Sequence, residues 1–111
     1  MPIRAYPRNS KGTAMYTLLI EHTVNDFDAW KRSFDSDPAD RAGSGVVSYR
    51  VSRPVDDSQR VLIELDFAER EQAESMLNTL RIKVWSGPGR PASLDGMPDA
   101  RIVESMEARV L

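Results

Sequence analysis

The 111-residue chain contains no cysteine and only one histidine, His22. The lack of cysteine excludes disulfides, thiolate metal sites and a cysteine nucleophile. It also fits a reducing compartment, so we expect a cytoplasmic protein. One histidine without a second ligand at a suitable spacing predicts no metal site.

Long apolar runs and a strong charge of either sign are also missing. No stretch approaches the roughly 20 apolar residues that span a membrane, and the N-terminus lacks the apolar segment of a secretory signal. The net charge of -2 favours neither a nucleic-acid backbone nor an anionic membrane as a partner. Gly87 and Gly89 follow a predicted helix rather than precede one, so they are no phosphate loop. We expect no cofactor.

Apolar periodicity predicts six elements in the order βαββαβ. The strands are predicted at residues 16–23, 46–53, 60–67 and 100–110. The first helix begins at Asn25 or Asp26 and ends at Pro38. The second helix carries an apolar stripe that ends at Val84. The Gly- and Pro-rich segment 86–99 is predicted to be a lid or a binding loop.

This order predicts an α+β, ferredoxin-like domain over residues 15–111. Split βαβ units form a four-stranded antiparallel sheet with two helices on one face. Residues 1–14 carry Arg4, Arg8 and Lys11 with no acidic residue. We expect this segment to be a disordered extension, and an arm that docks on a partner is the alternative.

Alternation along the strands divides the side chains of the sheet into two faces. One face is almost entirely apolar, includes Tyr49, and should pack against the helices. The opposite face mixes apolar and charged residues, namely Thr17, Leu19, Glu21, Ser48, Arg50, Leu62, Glu64, Asp66, Val103, Ser105 and Glu107. Such a face is either solvated or one wall of a barrel that a second subunit closes around a polar pocket.

Arg50 needs a carboxylate partner if that second face is buried. Glu64 and Glu21 are available on neighbouring strands. The resulting cluster either fixes strand register through salt bridges or polarises a substrate.

Five segments resemble the antibiotic biosynthesis monooxygenase-like superfamily of dimeric α/β barrels. They read LLIEHTV, NDFDAWKRSFD, VVSYRVSRPVDD, RVLIELDF and KVWSGPG, and the second contains the motif Asp26-Phe27-x-x-Trp30. The resemblance implies a homodimer with a pocket between sheet and helices. Its members include cofactor-free monooxygenases that oxidise polycyclic phenols, haem-degrading enzymes and proteins with no proven reaction. The haem-degrading members use a strand asparagine and a helix histidine, which this sequence lacks in its first strand and second helix.

His22 and Arg50 are the candidate catalytic residues. His22 ends the first strand and could act as a general base near neutral pH, while Arg50 would stabilise a phenolate. The alternative for His22 is a structural histidine, because no orienting partner is visible in the sequence. Trp85 is either a pocket wall or a loop anchor. The predicted substrate pocket comprises Leu19, Glu21, Leu62, Glu64, Trp85 and Val103.

The sequence therefore predicts a homodimeric barrel that handles a small molecule. One hypothesis is a cofactor-independent monooxygenase that acts on an aromatic or polyketide-like substrate. The alternative is a non-catalytic module for ligand binding or interaction. RNA-binding domains share this topology, but the mixed face has no stacking aromatics, and Glu64 and Asp66 would repel phosphate.

Overall fold

A computed structural model describes residues 15–88 and 90–111, so the prediction for residues 1–14 lies outside the described residues. The elements are β1 (Tyr16–Val24), α1 (Phe27–Asp35), β2 (Val46–Ser52), β3 (Arg60–Phe67), α2 (Arg70–Thr79), a π-helical segment (Leu80–Trp85) and β4 (Leu94–Glu104). The antiparallel sheet has the order β2-β3-β1-β4. This confirms the predicted α+β, ferredoxin-like fold. Among the described residues, no helix is long and apolar enough to cross a membrane.

The core lies between the sheet and the two helices. Every second residue of β1 is buried on the helix side, from Leu18 to Val24, and β3 contributes its own alternating set from Val61 to Phe67. Trp30 of α1 is buried against them. Because the strand period of two matches the apolar pattern, the helix-side residues of the two central strands, β1 and β3, are used for packing.

Helix α1 begins at a capping residue and ends in a closely hydrogen-bonded loop. The Asp26 carboxylate accepts a hydrogen bond from the Ala29 backbone N–H at 3.1 Å, which is the usual role of an N-cap. Beyond the helix, Asp37 and Asp40 adopt left-handed backbone angles, with φ of 57° and 51°. Aspartate tolerates this region because its carboxylate can bond nearby backbone N–H groups.

The boundaries of strand β4 differ from the predicted range of 100–110. The strand begins at Leu94 rather than at residue 100 and ends at Glu104 rather than at 110. Gly96 and Pro98 are turn signals in the sequence, but β4 is an edge strand, where proline costs little because one side of the strand has no partner. Gly96 has a φ of 77°, close to the irregular pairing between β4 and residues 21–23.

The segment before β4 is tied down rather than free as a lid. The Arg90 guanidinium donates to the carbonyl oxygens of Trp85, Leu94 and Gly96 at 2.7, 3.2 and 2.6 Å. One charged side chain thus links the end of the π-helical segment to the start of β4.

The second helix was predicted as a single element. In the structure the regular α-helix ends at Thr79, and the π-helical segment follows it.

On the face away from the helices, here called the open face, Glu21 forms an ion pair with Arg60. Arg60 is a diagonal neighbour of Glu21 on β3, two residues from its direct cross-strand partner Leu62. Arg50 is exposed and lies opposite Glu64, and no described carboxylate forms an ion pair with it. The pairing of Arg50 with Glu64 or Glu21 was predicted for a buried face, so it stays a prediction for the closed barrel.

Asp66 is the buried exception on the open face, with 2% of its surface exposed. Its carboxylate accepts hydrogen bonds from Thr17 Oγ1 at 2.6 Å and Ser48 Oγ at 2.7 Å. Tyr49 lies on the helix side of the sheet, as predicted. Its side chain is nevertheless 45% exposed, because β2 is an edge strand.

Candidate functional site

A cavity of about 70 Å³ lies between the helix side of the sheet, α1 and the π-helical segment. On this measure a single water needs roughly 10–15 Å³, so the cavity has room for several waters or part of a small ring. Its lining is mostly apolar and aromatic, and the polar members are His22, Ser33 and Arg41. An apolar chamber with a few polar groups is typical of small-molecule sites. We call it the helix-side cavity.

Helix α1 supplies an aromatic wall to this cavity. Trp30 and Phe34 are one helical turn apart, and their rings stack with centroids 5.2 Å apart and planes 26° apart. Phe27 lies 5.8 Å from Trp30 on the same stripe. The spacing that makes this helix amphipathic therefore also places the stacked rings of Trp30 and Phe34 in the lining of the cavity.

His22 lines the cavity from β1. It is 4% exposed, and its ring lies 5.4 Å from that of Trp30. Its Nδ1 atom is buried and has no hydrogen-bond partner among the described residues. An unpaired polar atom at such a site is costly unless water or a ligand supplies a partner.

Burial lowers the pKa of His22 from its ordinary value of 6.5 to about 4. The Thr23 backbone acts in the opposite direction, and the positive charges of Arg60 and Arg90 lower the pKa further. The imidazole is therefore neutral at pH 7. In that state one ring nitrogen can accept a proton or a hydrogen bond.

Arg41 lines the same cavity from the loop after α1. Its side chain is only 15% exposed, and its guanidinium carbon lies 3.9 Å from the centre of the Phe34 ring and 4.9 Å from that of Tyr49. Nη1 donates to the Phe34 carbonyl at 2.8 Å, and Nε lies 3.5 Å from Asp37 Oδ1. Sequence reasoning missed Arg41, because it stands in a Gly-rich loop whose position depends on tertiary packing.

The predicted site residues fall on opposite sides of the sheet. Of these, the helix-side cavity receives His22 and Trp85. A groove of about 580 Å³ on the open face receives Leu19, Glu21, Leu62 and Glu64, and an adjacent groove of about 410 Å³ receives Val103. Arg50 also belongs to the open face, because it pairs in register with Glu64.

This placement has a direct chemical consequence for the predicted catalytic pair. His22 and Arg50 cannot act on one reacting group within a single subunit, because the sheet separates them. Arg41 is the arginine that shares a cavity with His22. No group of three histidine or acidic side chains among the described residues is placed to hold a metal ion.

Solved structures of low sequence identity share this fold. A dimeric ferredoxin-like protein from an uncultured marine organism has a TM-score of 0.62 at 10% identity, and the match covers 86% of this chain and 99% of that one. A protein of Nitrosomonas europaea, provisionally assigned to the antibiotic biosynthesis monooxygenases, has a TM-score of 0.65 at 13% identity over 85% of this chain and 92% of that one.

A third similar structure is a MhuD variant with two manganese protoporphyrin IX molecules bound per active site. Its TM-score is 0.53 at 13% identity, over 87% of this chain and 97% of that one. No protein-family model and no curated protein matches the chain. At these identities the likeness shows the fold alone, and this fold is the one that the resemblance to the antibiotic biosynthesis monooxygenase-like superfamily predicts.

Proposed function

We propose that each subunit binds a small hydroxylated aromatic molecule in the helix-side cavity and oxidises it as a cofactor-independent monooxygenase. The observation that carries this proposal is His22 Nδ1, a buried polar atom without a described partner, beside an aromatic wall. A hydroxyl group of the ligand would supply the missing hydrogen-bond partner, and Trp30 and Phe34 would flank its ring.

In the proposed reaction His22 accepts the hydroxyl proton of a phenol. The electron-rich ring carbon then donates electrons to dioxygen, and a carbon–oxygen bond forms. Breakage of the oxygen–oxygen bond releases one oxygen atom as water and leaves the other as a carbonyl. Phenol and dioxygen thus give a quinone and water, and the substrate supplies all four electrons without an external reductant.

We propose further that two copies of the chain pack through their open faces. Leu19 and Leu62 are only partly exposed there, while Val103 is 36% exposed between charged neighbours. A second copy would cover this apolar strip and close the barrel. The dimeric ferredoxin-like neighbour supports the formation of a dimer.

Binding without catalysis is the second candidate function, and the lowered pKa of His22 favours it. A general base works best when its pKa is near the working pH. A histidine with a pKa of about 4 is a weak base for an ordinary phenol, although it still accepts a hydrogen bond. Only substrates with an acidic hydroxyl would transfer their proton readily.

Oxygen consumption and ligand binding, measured together, test both candidates. Phenol and substituted single-ring phenols are added to the full-length protein, and dissolved oxygen and tryptophan fluorescence are recorded. Both tryptophans of the chain line the cavity, so binding should change their emission. Oxygen uptake that His22→Gln abolishes and Arg32→Gln retains supports the oxygenase. Fluorescence changes without uptake support binding alone, and the lack of either rejects the site.

A further inference from the structure

The guanidinium of Arg41 gives the helix-side cavity a second polar feature that the oxidation of a simple phenol does not use. We propose that the ligand is an aromatic acid, with a carboxylate that pairs with Arg41 and a hydroxyl that faces His22. This inference rests on the proposed function of the cavity and specifies the class of ligand that it takes.

Arg41 is held firmly but retains free hydrogen-bonding capacity. A guanidinium carries five N–H donors. Among the described residues, the guanidinium donates one hydrogen bond, from Nη1 to the Phe34 carbonyl, and forms an ion pair with Asp37 through Nε. Stacking on Phe34 and Tyr49 fixes the plane of the guanidinium. A planar cation that is already oriented loses little entropy when it binds a carboxylate, and the fork of N–H groups matches two carboxylate oxygens.

Asp37 does not fully compensate this charge. Its carboxylate lies 3.5 Å from Nε of Arg41, and the same oxygen accepts the backbone N–H of Arg41 at 2.9 Å. The loop backbone therefore holds the Asp37 carboxylate near Nε of Arg41, and the aspartate side chain is partly exposed to solvent. Nη2 of Arg41 donates to no described acceptor.

The two polar groups of the cavity, the His22 imidazole and the Arg41 guanidinium, contact different aromatic rings of α1. The His22 ring touches Trp30, Trp30 stacks on Phe34, and Phe34 carries the Arg41 guanidinium. The rings of Trp30 and Phe34 thus connect the histidine to the arginine. A ligand that contacts both would lie beside these rings and carry a polar group at each end.

The difference in charge between the two ends sets the orientation of the ligand. The buried imidazole is neutral, whereas the guanidinium is always protonated. A carboxylate is therefore stabilised at the Arg41 end, where the partly buried position strengthens the attraction. The hydroxyl is left for the His22 end, where it can donate to an unpaired ring nitrogen.

Four single-ring probes test this assignment with the full-length protein, namely 4-hydroxybenzoate, 4-hydroxybenzamide, benzoate and phenol. Dissociation constants come from tryptophan fluorescence and are checked by calorimetry. We expect 4-hydroxybenzoate to bind roughly 10- to 100-fold more tightly than the amide, which is the usual value of one charge-assisted hydrogen-bonded contact. Benzoate should bind more weakly than 4-hydroxybenzoate, because it lacks the hydroxyl.

Variants then assign the preference to its source. Arg41→Gln should bring the acid and the amide to within about threefold of each other, while Arg41→Lys should keep part of the preference. Arg32→Gln removes an exposed arginine of α1 and should bind as the wild type does. Melting temperatures of all variants establish that each one is folded.

The possible failures are distinguishable. Equal binding of 4-hydroxybenzoate and its amide by the wild-type protein overturns the role of Arg41 and leaves the cavity as a binding site. A preference that survives in Arg41→Gln overturns it as well. If none of the four probes binds, the helix-side cavity itself is rejected as a ligand site, and the inference falls with the proposed function.

Discussion

The ring of His22 lies 5.4 Å from that of Trp30 with the two planes tilted by 57°, and both residues line one cavity. The contact joins the end of β1 to the middle of α1. It buries the imidazole and holds the histidine neutral, because burial disfavours its charged form. The chemistry of the cavity and the stability of the fold therefore depend on the same residue.

The first prediction concerns the pH dependence of stability. The pKa of His22 is about 4 in the folded protein and near 6.5 in the unfolded chain. Between these values the unfolded state binds more protons, so stability falls as the pH is lowered from 6.5 to 4. The loss should reach roughly 3 kcal/mol.

Urea denaturation at several pH values measures this loss. Carboxylates also titrate in the window, so the difference between wild type and His22→Phe isolates the histidine. That difference should change by about 3 kcal/mol between pH 7 and pH 4. Parallel pH profiles for the two proteins would contradict the lowered pKa.

A second prediction concerns the aromatic wall. Trp30 is buried and contacts the rings of His22, Phe27 and Phe34. Trp30→Ala should destabilise the protein by roughly 3–5 kcal/mol, because it removes a large side chain and leaves a cavity. Trp30→Phe keeps an aromatic ring and should lose less. Thermal or urea denaturation measures both, and a loss below about 1 kcal/mol in the alanine variant would show that the wall is dispensable.

A third prediction concerns the buried carboxylate of the open face. Asp66 accepts hydrogen bonds from Thr17 and Ser48. Asp66→Asn should cost about 1–3 kcal/mol, because hydrogen bonds to a charged acceptor are stronger than those to an amide. Asp95→Asn changes an exposed aspartate of β4 and serves as the control. Equal urea midpoints for the two variants would contradict a structural role for Asp66.

A fourth prediction tests the proposed dimer. Leu62→Glu places a charge in the apolar strip of the open face and should raise the dimer dissociation constant at least about 100-fold. Val55→Glu changes a fully exposed residue of the β2–β3 turn and should leave the association unchanged. Sedimentation velocity over a range of concentrations measures both. A wild-type protein that sediments as a monomer at all concentrations would refute the dimer.

The regular parts of the fold could be predicted because local pattern and tertiary packing agree. The range of β3 is the same in the prediction and in the structure, and its alternating residues are buried as their spacing predicts. β4 was placed too late along the chain because Gly96 and Pro98 resemble a turn. Their cost is small only at a sheet edge, and strand order cannot be obtained from the local pattern.

The site was predicted only in part, for reasons of geometry. His22 could be singled out as the sole histidine, but its alternation with Leu18 and Ile20 already assigns it to the helix side, away from Arg50. Glu21 pairs with Arg60, a diagonal neighbour on the next strand, and charge alone does not predict which arginine a carboxylate contacts. Arg41 is brought to the cavity by a loop, and its position depends on the packing of Phe34 and Tyr49.

Imidazole NMR tests the central claim most directly, since the chain has a single histidine and its signal needs no assignment. The ring proton and nitrogen shifts of His22 are followed through a pH titration, with and without 4-hydroxybenzoate. We expect a midpoint near pH 4 in the free protein and a clear shift of the ring nitrogen signals when the ligand is added. A midpoint near 6.5, with signals that no aromatic ligand moves, would contradict it.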